Sequence, residues 1–473
     1  MTTYDEVPYP GLALRQTHPD RLATVAHLLG VDTFDPEHCR VLEIGCSDAG
    51  NLLAMAELAP ASSYVGIDLD TRAIDLARDR IERWGVGNVE VHALDLRDFA
   101  AEPGSFDVVI AHGVHSWVGV EAAEALMASI GHHLAPRGVA YVSYNTLPGS
   151  HLRTMVGDAV RRLVADVPAG QRADAARAWL DVLVSTEADG SHARILREIA
   201  VETRAKADQL LLHDDLAESS DPAYVTDFIA QAERVGLAYL SESDPAPRVP
   251  AWAADDVRRR LDGLAEPERQ QLLDILTNRS FRQTLLVRAD RAPHVRDNDP
   301  ERLEPLWAAT SLEESDADDG ATTVRLLGAV TATTNDELLL EDLRRLGAAW
   351  PSSVAVGELR SSREALLRLY ETRGVELRAT PSPAVRPGGR PLVAPLARRQ
   401  AEAGEPVATL RHDSVTTSDL AVLTTVMLCD GEHDRSQIAA SVVAAGLVPA
   451  SDAVVHDLDR LLDQLADISL FLA

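Results

Sequence analysis

Long apolar segments are missing from this chain. No apolar run approaches the roughly 20 residues that a membrane-spanning helix needs, and no basic start followed by an apolar stretch marks a signal peptide. The three cysteines, Cys39, Cys46 and Cys429, lie far apart and lack the spacing of metal ligands. These absences argue against a disulfide framework and a metal site. We expect a cytoplasmic protein without membrane contacts.

Positive charge is also scarce. The chain has 45 basic against 74 acidic residues, a formal net charge of −29, and Lys206 is its only lysine. Such a charge repels a phosphate backbone, so we expect no nucleic-acid partner. The same field attracts a cationic protein or peptide, although solubility alone would also account for it.

Strand and helix signals alternate over the first part of the chain, which at 473 residues is long enough for about three domains. This alternation predicts an α/β fold with a doubly wound, Rossmann-like, seven-stranded sheet. We expect the last strand to be antiparallel. The predicted strands are residues 40–44, 63–68, 89–93, 106–111, 138–144, 237–241 and 282–288.

The remaining segments suggest a domain plan. An N-terminal lid or brace is expected over residues 1–35, and the sheet domain over 36–290 with a helical insertion at about 151–220. The acid-rich residues 291–325 are predicted to be a linker. Winged-helix-like α+β units are predicted at 326–400 and 401–473. Neither unit has the basic recognition helix that DNA binding requires, so the pattern favours protein docking.

A short turn of small residues follows the first predicted strand, in the sequence VLEIGCSDAGN at residues 41–51. The turn opens a helix, and Asp68 ends the next strand, where an acid can accept hydrogen bonds from both ribose hydroxyls. Dinucleotide-binding loops need a second glycine where this chain has Ser47. The pattern therefore indicates a cofactor without phosphates, namely S-adenosylmethionine.

Other residues near this turn complete the candidate cofactor site. Asp95 ends the third strand, where an acid and the following amide would meet the adenine edge; capping of the next segment is the alternative. The candidate cofactor-binding residues are Glu43, Gly45, Cys46, Ser47, Gly50, Asn51, Asp68, Leu69, Asp95, Leu96 and His112.

The loops after the fourth and fifth strands should face the transferred methyl group, because open α/β sheets bind ligands at the carboxyl ends of their strands. Aromatic faces there could hold a cationic amine, and a histidine could take its proton. For Trp117 and Tyr144 the alternative is core packing, and for His115 a hydrogen-bonded loop position. The candidate catalytic residues are His112, His115, Trp117, Tyr144, Asn145 and, in the N-terminal segment, Tyr4 and Asp5.

These motifs make the chain resemble the bacterial protein-lysine methyltransferases that join a class I S-adenosylmethionine domain to a methyltransferase regulatory domain and a C-terminal winged helix. The resemblance covers nearly the whole chain. It implies a cytoplasmic enzyme that methylates protein lysines. Its motifs are YDEVPY at 4–9, QTHPDRL at 16–22, HGVHSW at 112–117, SYN at 143–145, LHD at 212–214, NR at 278–279, FRQTLL at 281–286 and LCDG at 428–431.

Three positions depart from the family pattern: His115 replaces a tyrosine, Ala49 a loop glycine and Gly119 a proline. They leave the cofactor assignment intact but weaken the lysine assignment, because His115 lies where the acceptor should sit. Methylation of a small metabolite or ribosomally made peptide is therefore an alternative. A non-catalytic, cofactor-sensing regulator is another. The oligomeric state, including a homodimer, stays open.

Overall fold

The first half of the chain folds around one mostly parallel sheet, as the alternation of strands and helices predicts. The computed structural model describes residues 11–187, 190–217, 220–244, 250, 252–293, 297–316, 321–450 and 453–473. The sheet order is β3-β2-β1-β4-β5-β8-β7, with the short β6 paired to β5. The strands are β1 (Arg40–Ile44), β2 (Ser63–Asp68), β3 (Val89–Ala93), β4 (Phe106–Ala111), β5 (Leu134–Leu147), β6 (Ala223–Tyr224), β7 (Leu237–Glu242) and β8 (Phe281–Arg288).

Strands β1 to β5 are parallel, and β8 lies antiparallel between β5 and β7. This arrangement confirms the expected fold class and the antiparallel last strand. Strand β1 has four buried residues in succession, as is usual in a sheet covered on both faces. The helices that flank the sheet are α1 (Pro19–Leu28), α2 (Gly50–Leu58), α3 (Thr71–Trp84), α4 (Val120–His133) and α8 (Val225–Arg234).

The two faces of the sheet belong to different hydrophobic clusters. Val41 and Tyr141 pack in the cluster that contains α2, whereas Leu42 and Tyr144 pack in the cluster that contains α4 and Phe228. Neighbouring residues in a strand point to opposite faces, which separates these pairs. This separation decides which side chains of β5 reach the candidate site.

Two groups of helices interrupt the sheet domain. Between β5 and β6 lie α5 (Ser150–Leu163), α6 (Ala169–Val184) and α7 (Ser191–Arg204), followed by a π-helical turn at Leu211–Asp215. These helices have an apolar cluster of their own, which includes Val160, Leu180 and Leu211. Helices α9 (Asp255–Asp262) and α10 (Glu266–Thr277) lie between β7 and β8.

A middle domain follows the sheet domain and differs from the linker expected at residues 291–325. Leu303, Leu306 and Ala308 lie buried in its core beside Leu340 and Leu366. The acidic residues that suggested a linker lie partly on an exposed strand, where Glu314 pairs with Arg344. The elements are β9 (Trp307–Ala309), β10 (Glu313–Asp316), β11 (Thr322–Arg325), β12 (Thr331–Thr334), α11 (Glu337–Ala349), β13 (Val354–Ala355), α12 (Arg363–Glu371) and β14 (Glu376–Arg378).

The C-terminal domain starts earlier than the expected boundary at residue 401. Ala384 pairs with Leu472, and Val393 pairs with Phe471, so residues from about 384 onward share its core. Its elements are α13 (Pro395–Ala403), β15 (Val407–Ala408), β16 (Ser414–Val415), α14 (Leu420–Leu428), α15 (Arg435–Ala444) and α16 (Val454–Asp467). Among all described residues, none of the helices combines the length and apolar character needed to cross a membrane.

The segment before β1 holds the three domains together. Asp20, at the start of α1, accepts hydrogen bonds from the backbone amides of Ala379 and Thr380. Arg15 pairs with Glu376 at 2.7 Å, and the Glu376 side chain is 10% exposed. Although burial opposes ionisation of Glu376, the nearby guanidinium groups, led by Arg411, hold its pKa below the usual range. An ionised pair at this junction therefore ties the brace to β14.

The sheet also depends on two ion pairs that share Arg282. The Arg282 side chain is fully buried and bonds to Asp274 at 2.7 Å and to Glu242 at 2.6 Å. Replacing Asp274 with Asn removes the charge on the acceptor of two Arg282 hydrogen bonds, while Glu242 remains as the counter-charge. We expect a loss of about 1.5–3 kcal/mol in the free energy of unfolding, the range for hydrogen bonds to a charged group, measured by urea denaturation.

The matched control is Asp75→Asn, which removes an exposed ion pair with Arg78 on α3. Exposed pairs contribute about 1 kcal/mol or less, so this variant should unfold near the parent midpoint. Equal midpoints for the two variants would contradict a structural role for the buried pair.

Candidate active site

The turn between β1 and α2 has a strained backbone that depends on its small residues. Gly45, Ser47 and Ala49 all have positive φ, at 78°, 49° and 58°. A Cβ atom on Gly45 would lie 2.5 Å from Cγ2 of Val114, so only glycine fits there. The turn therefore lies directly against the loop that follows β4, where the candidate acceptor residues begin.

The backbone amides of this turn are already used within the protein. The amides of Gly45 and Cys46 donate to the Ile67 carbonyl at 2.8 and 3.1 Å. The Ser47 amide donates to Oδ2 of Asp68 at 2.8 Å, and the Gly50 amide to Oδ1 of Asp48 at 3.2 Å. The sequence suggested that such amides approach a ligand, but these four bond internally. Carboxylates are the ligand-binding groups that remain, which suits a cation rather than a phosphate.

Glu43 is the buried carboxylate of this edge, with 3% of its surface exposed. Its Oε1 accepts a hydrogen bond from Nδ2 of Asn51 at 2.8 Å, whereas Oε2 has no partner among the described residues. Burial, reinforced by the charges of Asp68 and Asp48, raises the pKa of Glu43 to about 8. A buried acceptor without a donor is destabilising. An ammonium group, such as the one that S-adenosylmethionine carries, would supply the donor that Oε2 lacks.

Asp68 lies half-buried at the carboxyl end of β2. Its two oxygens accept hydrogen bonds from the amides of Ser47 and Asp70, at 2.8 and 2.9 Å. These amides fix the orientation of the carboxylate, while each oxygen keeps a second lone pair for a ribose hydroxyl. Leu69 beside it exposes 68% of its apolar side chain. An acid next to an exposed apolar side chain fits the ribose and adenine of the cofactor.

Asp95 differs from the adenine-binding role expected for it. Its carboxylate accepts hydrogen bonds from Nε of Arg97 at 2.8 Å and from the Arg97 backbone amide at 2.9 Å. These bonds hold the pKa of Asp95 at about 2. This geometry matches the alternative of a local cap, because the Asp95 carboxylate accepts hydrogen bonds from the side chain and the backbone of Arg97. Leu96 packs at the edge of the core.

Tyr144 was expected to present its ring to a substrate, and the structure corrects this expectation. The ring stacks on Phe228 with a centroid distance of 4.1 Å, and 1% of the residue is exposed. Because alternate residues of β5 point to opposite faces, Tyr141, Ser143 and Asn145 lie on the other side. Tyr144 therefore packs in the core.

His115 also belongs to the core rather than to the acceptor site. Its Nε2 lies 3.0 Å from Oε1 of Gln231 on α8, and its ring packs near Tyr144 and Phe228. Burial lowers its pKa, so the ring stays neutral near pH 7. The expected role as proton acceptor is incorrect, because the ring is enclosed between β5 and α8.

His112 and Asn145 lie on the opposite face of the sheet, on the side of the cofactor turn, which is the turn between β1 and α2 at residues 45–49. Nδ1 of His112 lies 3.0 Å from the Tyr141 hydroxyl, and burial lowers the His112 pKa to about 4. The Asn145 amide donates to Oγ of Ser116 at 2.9 Å, and its side-chain Nδ2 to Oγ of Ser220 at 3.1 Å. Both residues are thus held in place by neighbouring hydroxyl groups.

Phe281 is a further aromatic residue on this face, outside the candidate site residues expected from the sequence. It pairs with Asn145 across β5 and β8, and its ring packs edge-on against His112 at 6.3 Å. The residue remains 38% exposed. The pairing of Phe281 with Asn145 could not be found from local sequence, although Phe281 lies within the FRQTLL motif.

Trp117 lies half-buried in the loop after β4.

The N-terminal segment lies against the cofactor turn. A Cβ atom on Gly50 would fall 2.2 Å from the Gly11 carbonyl oxygen, which explains the glycine at the start of α2. Gly50 and Asn51 therefore contact this segment rather than an open ligand site. Tyr4 and Asp5 lie outside the described residues. In the part of the chain that the structure describes, no cluster of His, Cys, Asp or Glu could hold a metal ion.

Comparison with known families gives three consecutive matches along the chain. Residues 41–138 match a methyltransferase domain, and residues 207–288 match a family described as a predicted methyltransferase regulatory domain. Residues 389–448 match the C-terminal winged helix domain of PKMT proteins. The three matches follow the order of the domains in the structure.

Two curated relatives come from Rickettsia prowazekii (strain Madrid E), and both are uncharacterized. The chain is 31% identical to RP028 over 49% of its own length and 94% of that protein. It is also 31% identical to RP789 over 61% of its own length, a match that spans about half, 53%, of that longer protein.

Solved structures of PKMT2 from Rickettsia typhi share the whole fold. They are 22% identical and cover 98% of this chain and 100% of that protein, with TM-scores of 0.86 for one structure and 0.88 for the complex with AdoHcy. Taken together with the three domain matches and the relative RP028, this places the chain in the bacterial protein-lysine methyltransferase family, which joins a class I S-adenosylmethionine-dependent domain to a methyltransferase regulatory domain and a C-terminal winged helix.

Proposed function

We propose that this protein transfers a methyl group from S-adenosylmethionine to lysine side chains of a protein substrate. The observation that carries the proposal is the pair of carboxylates, Glu43 and Asp68, at adjacent strand ends where the backbone donors of the turn are already bonded. This arrangement suits a ligand that carries an ammonium group and ribose hydroxyls. The PKMT2 structure with AdoHcy supports the same cofactor class.

The cofactor supplies an activated methyl group on a sulfonium sulfur, so the protein needs few reactive groups of its own. It has to hold the acceptor in line with the methyl carbon and keep water away. Glu43 would bind the amino group of the cofactor, and Asp68 the ribose. Leu69 would cover part of the adenine.

A lysine acceptor must lose a proton before it can attack. With a reference pKa of about 10.4, deprotonation at pH 7 costs roughly 4–5 kcal/mol. The pKa of His112 near 4 makes this residue a weak base, so we assign it the role of hydrogen-bond partner to the amine. The aromatic faces of Trp117 and Phe281 would hold the amine by cation–π attraction. The net charge of −29 favours approach of a cationic polypeptide.

The first test concerns the ribose site. Asp68→Asn should weaken binding of S-adenosylhomocysteine by about 1.5–3 kcal/mol, because hydrogen bonds to a charged acceptor are lost. Calorimetry measures the change. Asp70→Asn is the control, since it removes the same charge two residues away and keeps a side chain that can cap α3. Equal affinities for the two variants would show that Asp68 does not bind the ribose.

A second test uses the raised pKa of Glu43. Near pH 7 the buried carboxyl is mainly protonated, because its pKa lies at about 8. An adjacent ammonium group favours the ionised form, so ligand binding should release close to one proton and affinity should rise as the pH approaches 8. Calorimetry of S-adenosylhomocysteine binding in two buffers of different ionisation enthalpy measures this release.

Glu43→Gln is the control for proton release, because the amide cannot titrate. The variant should give the same binding enthalpy in both buffers. Buffer-independent enthalpies for the parent protein would show that Glu43 does not meet a charged ligand group.

A third test separates the acceptor site from the cofactor site. Trp117→Ala and Phe281→Leu should keep cofactor affinity while lowering turnover by up to about 100-fold, because a misplaced amine loses its reactive geometry. Trp179→Ala, which removes an exposed tryptophan from α6, is the matched control and should keep turnover. Loss of cofactor affinity in Trp117→Ala would show that Trp117 belongs to the adenosine site rather than to the acceptor site.

The acceptor itself can be identified directly. The protein is incubated with a bacterial lysate and isotopically labelled S-adenosylmethionine, and the products are analysed by mass spectrometry. Label on lysine residues of proteins is the expected result. Label confined to small metabolites would overturn the lysine proposal while leaving the methyltransferase assignment in place.

A further inference from the structure

Asn51 lies at the meeting point of three parts of the chain. It is the second residue of α2 and is buried. Its side-chain Oδ1 accepts a hydrogen bond from the Leu14 backbone amide at 3.0 Å. Because a backbone N–H can only donate, this contact fixes which end of the Asn51 amide is oxygen. Nδ2 must then face Glu43, to which it donates at 2.8 Å.

The same Asn51 oxygen is reached from the C-terminal domain. His412 lies in the turn between β15 and β16, and its Nε2 is 2.7 Å from Oδ1 of Asn51. The oxygen accepts, so Nε2 of His412 must carry the proton. The imidazole is 1% exposed, and the His18 ring packs against it at 5.0 Å. Burial keeps the ring neutral by lowering its pKa.

The C-terminal domain holds the cofactor turn through two further contacts. Arg80 on α3 joins Asp48 of the turn, at 2.6 Å, to Glu405 of the C-terminal domain, at 2.7 Å. Glu57 on α2 accepts the Leu396 amide of α13 at 2.7 Å. The C-terminal domain therefore holds the turn at Asp48, through Arg80, and holds helix α2 at Asn51 and Glu57.

We propose that the C-terminal domain completes the cofactor site, with His412 as a positioning residue that acts through Asn51 on Glu43. The domain then has a role in cofactor binding that is separate from any contact with the substrate. The inference rests on the proposed use of Glu43 for the cofactor amino group. Without His412, the Asn51 amide loses one of the bonds that hold Nδ2 toward Oε1 of Glu43, and the buried carboxylate loses its fixed orientation.

Variants at His412 test this inference through binding of S-adenosylhomocysteine to the full chain. His412→Ala should weaken affinity about 5- to 30-fold, the range for loss of one buried hydrogen bond. His412→Gln can place an N–H near the former Nε2 and should restore most of the affinity. His433→Ala is the control, because His433 lies in the same domain but bonds only to nearby Asp430, at 2.9 Å, and should bind normally.

A double-mutant cycle distinguishes positioning from general damage. In a Glu43→Gln protein, His412→Ala should cause little further loss of affinity, because its effect passes through Glu43. Fully additive losses would overturn the inference. If Glu43→Gln alone leaves affinity unchanged, the assigned role of Glu43 fails instead, and with it this route of action.

A measurement on the unaltered protein covers the case in which a variant does not fold. Coupling between sites is reciprocal, so cofactor binding should stabilise docking of the C-terminal domain. Hydrogen exchange with and without S-adenosylhomocysteine should show slower exchange in residues 407–415. Unchanged exchange in that segment would overturn the inference.

Discussion

The carboxylate of Glu43 is buried with a donor for only one of its two oxygens, and much of the molecule is arranged around that constraint. Burying an acceptor without a donor is unfavourable, and the adjacent charges of Asp68 and Asp48 add to the cost by raising its pKa. Asn51 offsets part of this cost. The remaining oxygen has no donor among the described residues, and under the proposed function the ammonium group of the cofactor would supply that donor.

Keeping Asn51 in place requires contacts from far along the chain. Leu14 belongs to the brace, and His412 lies 361 residues after Asn51 in the C-terminal domain. The middle domain is tied to the same brace through Asp20 and Glu376. The brace therefore bonds both to Asn51, behind the cofactor turn, and to the middle domain. Two buried polar residues of the brace serve these contacts, since Thr17 bonds to Asn51 of the sheet domain and Asp20 to Thr380 after β14.

The candidate acceptor residues fall on two opposite faces of the sheet. His112, Asn145 and Phe281 lie toward the cofactor turn, whereas His115 and Tyr144 are enclosed between β5 and α8. His115 stands where the family pattern has tyrosine. Because the His115 ring packs in the core and bonds to Gln231, this departure from the family pattern affects core packing between β5 and α8.

Local sequence determined the sheet strands and the turn after β1, because strand periodicity and turn chemistry depend on residues only a few positions apart. Strands β1 to β4 have the predicted bounds, and Glu43 and Asp68 lie at the predicted strand ends. Only the tertiary structure decided which side chains reach the site. Tyr144 faces the core because α8 covers that side of β5, and acidic residues within 291–325 lie on a paired strand rather than in a linker. Asp95 is different, because it bonds to Arg97 only two residues away and this contact is local. Asn51 and His412 meet because three domains fold against one another, and no local pattern encodes a contact between residues so far apart.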